Sequence, residues 1–167
     1  MLGRLGEADL HKVVDRHERL YAFDAVLNAL LISEDGGRTF AERSTPPGLI
    51  IDFEVDPEDP EYILASGEDA LYKTEHGGKR WRQLDIANGL RLAWPPGGAI
   101  VRAAVDGTVS HSTDRGETWQ EVGKVPGEPY KFEYSADEPD HLCLALSDGT
   151  IVESQDRGKT WKEAFKQ

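Results

Sequence analysis

The sequence predicts an all-β fold made of four similar, four-stranded antiparallel units. The first observation is an eight-residue pattern of the form Ser-x-Asp-x-Gly-x-Thr-Trp, which begins at residues 33, 74, 112 and 154. The starts are 41, 38 and 42 residues apart, the spacing of a repeated supersecondary unit. The second observation is that short alternating stretches, separated by turn residues, surround each copy. Four repeats of one β unit therefore account for nearly the whole chain.

The copies of the pattern differ in quality. The third and fourth keep every consensus position, the first has Phe40 in place of Trp, and the second has Thr74, His76 and Arg80 at the Ser, Asp and Thr positions. We assign structural roles to the following pattern residues: Ser33, Asp35, Gly37, Thr39, Phe40, His76, Gly78, Trp81, Ser112, Asp114, Gly116, Thr118, Trp119, Ser154, Asp156, Gly158, Thr160 and Trp161. The second copy is predicted to form the weakest turn.

Each residue type in the pattern has a turn or packing role that needs no ligand. A short Asp side chain accepts hydrogen bonds from backbone N–H groups two or three residues further on, and Gly takes the positive φ that a tight turn requires. We expect the Thr and Trp to begin the next strand, with the indole buried against a neighbouring sheet. The pattern thus predicts a hairpin of fixed register rather than a catalytic motif.

The strands follow from the alternation around each copy. In the first unit we expect strands at 12–15, 20–24, 30–34 and 38–43, and in the second at 49–55, 61–66, 71–75 and 79–84. In the third they are expected at 90–94, 99–105, 109–113 and 117–122, and in the fourth at 130–135, 141–146 and 151–155. Asp106-Gly107 and Asp148-Gly149 are strong two-residue hairpin signals.

The repeated pattern resembles the Asp-box, or BNR repeat, of sialidases, sortilin-type receptors, some plant-cell-wall glycosidases and photosystem II assembly factors. All of these are β-propellers, so the resemblance implies four propeller blades at about 11–45, 49–86, 90–125 and 129–167, within one domain at 11–167 preceded by an extension at 1–10. As a whole the chain is similar to bacterial glycosylhydrolase-like and photosystem-stability-factor-like propellers. Those usually have six or more blades, which implies a partial ring here, whereas four blades are also enough for a small closed ring.

Composition limits the kinds of partner. The chain has 31 acidic and 19 basic residues and a net charge of −12, which disfavours nucleic acid and anionic membranes. Residues 1–20 lack the apolar stretch of a signal peptide or membrane helix, so the chain is expected to be cytoplasmic if complete and exported if an N-terminal segment is missing. The single Cys143 is expected to be a small buried side chain. The five histidines lack ligand spacing, and we expect no metal and no cofactor.

One set of acidic residues is a candidate binding face. The turn between the second and third strands carries an acid in every unit, and blade geometry would place these turns on one face: Asp24, Asp69 (or Glu68), Asp106 and Asp148. This acidic crown would bind a cation or a basic peptide. The competing interpretation is that Asp occurs there because the turn favours it.

Two functions of different classes follow. The first is a non-catalytic propeller scaffold that recognises a protein or glycan, with homodimerisation through open blade ends as one way to cover them. The second is a glycoside hydrolase-like enzyme of sialidase type, or a fragment of one. The resemblance implies that a sialidase needs an arginine cluster and a supported tyrosine, for which the chain offers Arg91, Arg102, Tyr130 and Tyr134. The arginine-containing N-terminal signature of that family is absent, so we assign no catalytic residue.

Overall fold

The fold is all-β, as predicted. The computed structural model describes residues 9–86, 90–135 and 137–166. Within these residues there are sixteen strands and no helix, and the strands form four separate antiparallel sheets of four strands each. Each sheet is a propeller blade whose strands follow one another in chain order. Accordingly, the described part of the chain contains no helix long and apolar enough to cross a membrane.

The first compact unit, Met1–Ile86, holds two blades. Blade 1 consists of β1 (Leu10–Arg16), β2 (Arg19–Asp24), β3 (Ala29–Ser33) and β4 (Ala41–Arg43). Blade 2 consists of β5 (Ile50–Val55), β6 (Ile63–Gly67), β7 (Leu71–Thr74) and β8 (Arg82–Asp85). The core between these blades includes Tyr21, Phe23 and Leu30 from one side and Phe53 and Ile63 from the other, all fully buried.

The second compact unit, Ala87–Gln167, holds the other two blades. Blade 3 consists of β9 (Arg91–Ala93), β10 (Ile100–Ala103), β11 (Thr108–Ser112) and β12 (Gln120–Lys124). Blade 4 consists of β13 (Pro129–Tyr134), β14 (Leu142–Leu146), β15 (Ile151–Ser154) and β16 (Lys162–Phe165). Their shared core packs Val101 and Val109 of blade 3 against Phe132, Leu144 and Val152 of blade 4.

The expected domain boundaries fall partly outside the described residues. The expected extension at 1–10 lies mostly on residues 1–8, which are outside that range, and Leu10 already belongs to β1. That residues 11–167 form a single domain stays a prediction, as does the choice between a partial and a closed ring.

Three expectations about local structure are wrong. The last strand of blades 1, 2 and 3 begins at Ala41, Arg82 and Gln120, three residues later than expected, because the Thr and the aromatic residue still belong to the turn. The Trp residues of the pattern are accordingly half-buried rather than fully buried. Cys143 is exposed, because in β14 the alternating Leu142 and Leu144 point into the core and Cys143 points away from it.

Candidate functional site

The complete Asp-box turns are closed networks of hydrogen bonds. In the third box, Ser112 Oγ donates to Asp114 Oδ1 at 2.8 Å and accepts the N–H of Gly116 at 2.8 Å. Thr118 donates its N–H to Asp114 Oδ1 at 2.9 Å and its hydroxyl to Asp114 Oδ2 at 2.5 Å. The Asp of this box therefore reaches four residues ahead, and in the fourth box Asp156 also accepts the N–H of Lys159, three residues ahead, at 3.1 Å, as expected. Both carboxylate oxygens are used inside the turn.

The first and fourth boxes repeat this network. The Asp–Thr hydroxyl distances are 2.6 Å in both, and the Gly N–H to Ser Oγ distances are 2.9 Å and 2.7 Å. The hydroxyl and N–H of the Thr favour the ionised carboxylate, so the pKa values of Asp35, Asp114 and Asp156 are lowered from 3.8 to about 2. These carboxylates accept hydrogen bonds within the turn, and because their pKa values are low they are poorly suited to transfer protons near neutral pH.

The second box has only part of the network. Thr74 Oγ1 accepts the N–H groups of His76 at 3.1 Å and Gly78 at 3.2 Å, as the Ser does elsewhere. Gly77 and Gly78 keep the positive φ values of 57° and 79°. His76 offers no carboxylate to hold the N–H of Arg80. The turn conformation therefore survives without the Asp, supported by Thr and two glycines.

The aromatic residues of the boxes join turns and blades. The indole Nε1 of Trp119 and of Trp161 donates to the carbonyl of Gly116 or Gly158 in the same turn, at 3.0 Å and 2.9 Å. The Nε1 of Trp81 donates instead to the carbonyl of Ser44, which follows blade 1, at 2.9 Å. Each of these indole N–H groups is thus used within the protein.

The four acids of the acidic crown hold turns of different kinds. Asp106 and Asp148 each accept the N–H of a Thr two residues ahead at 2.9 Å, which lowers the pKa of both carboxyl groups. Asp69 accepts the hydroxyl of Tyr72 at 3.1 Å. Asp24 is 0 % exposed and accepts the N–H groups of Val26 and Leu27. The expectation that Asp24 belongs to an exposed binding face is therefore wrong.

The residues considered for a sialidase site do not form an arginine cluster. Arg102 pairs with Leu92, and its neighbour Ala103 pairs with Arg91, so Arg91 and Arg102 lie on opposite faces of blade 3. Arg91 Nε donates to the carbonyl of Tyr130 at 2.5 Å, and the Arg102 guanidinium stacks 4.3 Å from the Trp119 ring centroid. Both guanidinium groups are engaged in packing within the second unit.

A shallow groove in the second unit was not found by sequence reasoning. We call it the Trp161 groove; its volume is about 510 Å³, and it is lined by Asp106, Lys124, Val125, Pro126, Gly127 and Trp161. Asp106 and Lys124 form a loose ion pair at 3.9 Å, both largely exposed. From the sequence, the third blade was expected to end at about residue 125 and the fourth to begin at about residue 129, with no site between them. In the sequence, the stretch Val125-Pro126-Gly127 immediately after a strand could have indicated an apolar surface. That this stretch lies beside Trp161 follows only from the fold.

A buried ion cluster in the first unit was also missed. Lys12 Nζ of β1 lies 2.6 Å from Asp52 Oδ1 and 2.8 Å from Glu54 Oε1, both in β5. All three side chains are at least nine-tenths buried. Burial opposes the charge on Lys12, but the two carboxylates outweigh it and raise the Lys12 pKa. Burial raises the Glu54 pKa against the attraction of Lys12. The cluster links the innermost strands of blades 1 and 2.

Metal binding is not supported by the arrangement of side chains. Within residues 9–86, 90–135 and 137–166, no group of three or more His, Cys, Asp or Glu residues is placed to hold a metal ion. His141 is an example: its ring lies 3.0 Å from Glu153, which also binds Lys162 at 3.0 Å. Glu153 therefore has two partners within the blade, the His141 ring and the Lys162 ammonium group.

Comparison with known proteins agrees with the repeats and the blades. The family model of the BNR/Asp-box repeat matches residues 110–121, which contain the third box. No curated protein is significantly similar in sequence to this chain. Solved propellers are similar in structure, but at identities too low to show more than the fold.

Three of these structures illustrate the range of functions on this fold. An ancestral GH74 enzyme matches with a TM-score of 0.72 and 16% identity over 96% of this chain, which spans 24% of that enzyme. YCF48 bound to D1 peptide matches with a TM-score of 0.56 and 16% identity over 94% of this chain and 67% of YCF48. A chain of a nidogen/laminin complex matches with a TM-score of 0.76 and 12% identity over 93% of this chain and 64% of its own. The repeat match, the box turns and the blades show that the chain has a β-propeller fold and carries an Asp-box (BNR) repeat, and that it is similar to Asp-box propellers.

Proposed function

We propose that the chain is a non-catalytic propeller module that recognises another protein or a glycan through the Trp161 groove. The observation that carries the proposal is the composition of this groove. It combines an indole ring, a proline and a valine with one acidic and one basic side chain. The polar groups of the box turns, by contrast, are consumed by internal hydrogen bonds.

The groove offers two kinds of interaction at once. The indole N–H of Trp161 is bonded to Gly158, so the ring contributes its apolar surface rather than a donor. Asp106 and Lys124 are 3.9 Å apart, a weak pair that a ligand can separate at little cost because both are largely exposed. An apolar surface flanked by opposite charges suits a peptide segment or a sugar ring. YCF48 bound to D1 peptide and the nidogen/laminin complex are propeller structures captured with protein partners, which favours the peptide.

Binding arrays of basic, acidic and neutral peptides and of glycans test the proposal. The variant Lys124→Ala should lower the affinity for whichever class binds, and Asp106→Asn should weaken a basic ligand most. Asp148→Asn is the matched control, because Asp148 holds the same kind of turn with Thr150 but does not line the groove. Binding that is unaffected by both groove variants would contradict the proposal.

The same variants distinguish the groove from the acidic crown. If the crown binds a basic partner, Asp106→Asn and Asp148→Asn should weaken attachment equally, and attachment should fall with added salt because screening shortens the reach of the charges. If the groove binds, Asp106→Asn and Lys124→Ala should weaken attachment and Asp148→Asn should not.

The second candidate is a glycoside hydrolase-like enzyme, which the structural similarity to GH74 enzymes favours. Glycosidases require two carboxylates placed across the sugar at a defined separation. The purified chain is expected not to hydrolyse sialosides or aryl glycosides above background. If the chain does hydrolyse one of these substrates, and if substitution of a single Glu or Tyr abolishes the hydrolysis, the function is hydrolysis and not recognition.

A further inference from the structure

The outer face of blade 4 is a sheet surface that no described part of the second unit covers. It is the face opposite Phe132, Leu144 and Val152, which fill the core shared with blade 3. Strand pairing places Glu133, Cys143, Glu153 and Lys162 in one row across the four strands. Three of these four side chains are exposed, and Glu153 is partly exposed.

A second row runs parallel to the first. It consists of Lys131, Ala145, Ile151 and Phe165, which pair in that order across the blade. Ile151 and Phe165 are exposed large apolar side chains, the Phe at 52 %. We call the two rows together the blade 4 face.

In blade 3, the face formed by the equivalent positions packs against blade 4. There Ala93, Val101, Ala103 and Val109 belong to the core shared with blade 4. At its margins Arg91 donates to the carbonyl of Tyr130, and a ring nitrogen of His111 lies 2.5 Å from the carbonyl oxygen of Arg157. The blade 4 face occupies the same sheet positions one repeat further along the chain. In blade 3, the residues at these sheet positions pack against the next blade along the chain.

Two differences in residue type between blade 3 and blade 4 change which structure could pack against this face. Gly123 of blade 3 lies against the fourth box, where a Cβ would be 2.5 Å from the carbonyl oxygen of Gly158. The corresponding position in blade 4 is Phe165, and the position of Ala93 is taken by Glu133. A box turn seated as the fourth box sits on blade 3 would collide with Phe165. The blade 4 face is thus unsuited to a further Asp-box blade docked in the same way.

The charges on the blade 4 face are balanced, unlike those of the chain. Lys131 lies 3.3 Å from Glu133, and Lys162 lies 3.0 Å from Glu153, so two cations offset two anions. The whole chain has a net charge of −12, so most approaches between two copies are repulsive. A neutral face with both signs can meet a copy of itself with each cation near an anion. The exposed apolar side chains of Ile151 in β15 and Phe165 in the edge strand β16 would be covered in the same contact.

We propose that two copies of this chain associate through the blade 4 face in an isologous, two-fold contact. Four strands spaced about 4.8 Å apart and about five residues long give a footprint of roughly 300 Å² on each copy. This is small compared with about 800 Å² per partner in a standard interface, so association is weak and concentration-dependent. The proposal does not depend on which ligand the Trp161 groove takes.

Sedimentation velocity over a wide concentration range, combined with oxidative cross-linking, tests this contact. Cys143 lies within the blade 4 face and is the sole cysteine of the chain, so a disulfide-linked dimer joins two Cys143 residues. Partial desolvation by its neighbours and the negative charge of Glu153 raise the pKa of the exposed Cys143 thiol, so oxidation with copper–phenanthroline is performed at alkaline pH. We expect reversible dimerisation and a cross-linked dimer whose yield follows the dimer fraction.

Matched variants decide whether this face is responsible. Phe165→Glu should reduce dimerisation and cross-linking at least tenfold, and Glu133→Lys should reduce both by a smaller factor. Ile86→Glu is the control: Ile86 is 84 % exposed and belongs to the first unit, so both readouts should stay unchanged. Circular dichroism establishes that each variant is folded. A strictly monomeric wild-type chain, a cross-linking yield no higher than in urea, or a dimer lost only in the Ile86 variant would each overturn the proposal.

Discussion

The backbone carbonyl of Gly158 lies where Gly123 would carry a side chain. A Cβ at Gly123 would be 2.5 Å from the oxygen of Gly158 and 2.6 Å from that of Lys159. Both neighbours are backbone atoms of the fourth box turn, which is itself fixed by the Ser154–Asp156–Thr160 network. The last strand of blade 3 therefore needs a glycine at the point where the next blade's turn rests on it.

Gly123→Ala should lower the free energy of unfolding by about 1–3 kcal/mol, because overpacking against rigid backbone moves the blades apart. Denaturant unfolding measures the change. Gly127→Ala is the control, since its Cβ would meet the side chain of Leu146 at 3.0 Å and a flexible side-chain end can move. Equal stability of the Gly123 variant and the wild type would show that the two blades can separate at this point without cost.

Asp114→Ala should lower Tm by several degrees, because the N–H and hydroxyl of Thr118 and the hydroxyl of Ser112 lose their acceptor. Asp114→Asn should lose less, since an amide oxygen still accepts the N–H of Thr118. Differential scanning calorimetry provides the comparison. Unchanged Tm in both variants would refute the structural role of the box.

His76→Asp should be neutral or stabilising, because it restores the acceptor that the second box lacks. In the fourth box the Ser154 hydroxyl and the Thr160 N–H donate to the Asp, and Thr74 and Arg80 occupy those two positions in the second box. His76→Asp combined with Arg80→Thr completes the pattern and should raise Tm further. A large loss of stability on the single substitution would indicate that His76 has another function.

The repeat predicted the box turns and the blades because both are local in sequence. Gly107 and Gly149 have φ values of 87° and 86°, but the expectation of two-residue turns is wrong. The Asp before each Gly does not have a positive φ, and the N–H of Ala104 donates to the carbonyl of Thr108, which leaves a three-residue loop that ends in the Gly. The exposure of Cys143 was mispredicted because a lone cysteine does not reveal which face of a strand it occupies. The Lys12 cluster joins residues 40 and 42 positions apart, and the Trp161 groove joins a turn, a connection and a box. Such sites depend on blade packing, which periodicity does not encode.

Stability should fall as the pH decreases from about 4 to about 2. The pKa values of Asp35, Asp114 and Asp156 are about 2 in the folded chain, against 3.8 for an unperturbed Asp carboxyl, so the unfolded chain binds more protons in this interval. The stabilisation is fully present above pH 4 and is lost as pH falls through the folded values. Tm measured against pH checks the slope. Substituting all three residues by Asn should flatten the profile, and an unchanged slope would show that other groups cause the acid sensitivity.

Lys12→Met should destabilise the chain by about 3–5 kcal/mol, because it leaves Asp52 and Glu54 buried without their shared cation. The variant Lys12→Met with Asp52→Asn and Glu54→Gln removes all three charges and should recover a large part of this loss. The comparison separates the cost of unpaired charge from the cost of lost packing, since the Met is present in both variants. Urea unfolding near neutral pH yields the two values, and the single variant should also gain stability as the pH is lowered and the carboxylates are protonated. If the single and triple variants were equally destabilised and equally insensitive to pH, the cluster would act through packing, and Lys12 would not serve as the counter-ion that holds β1 beside β5.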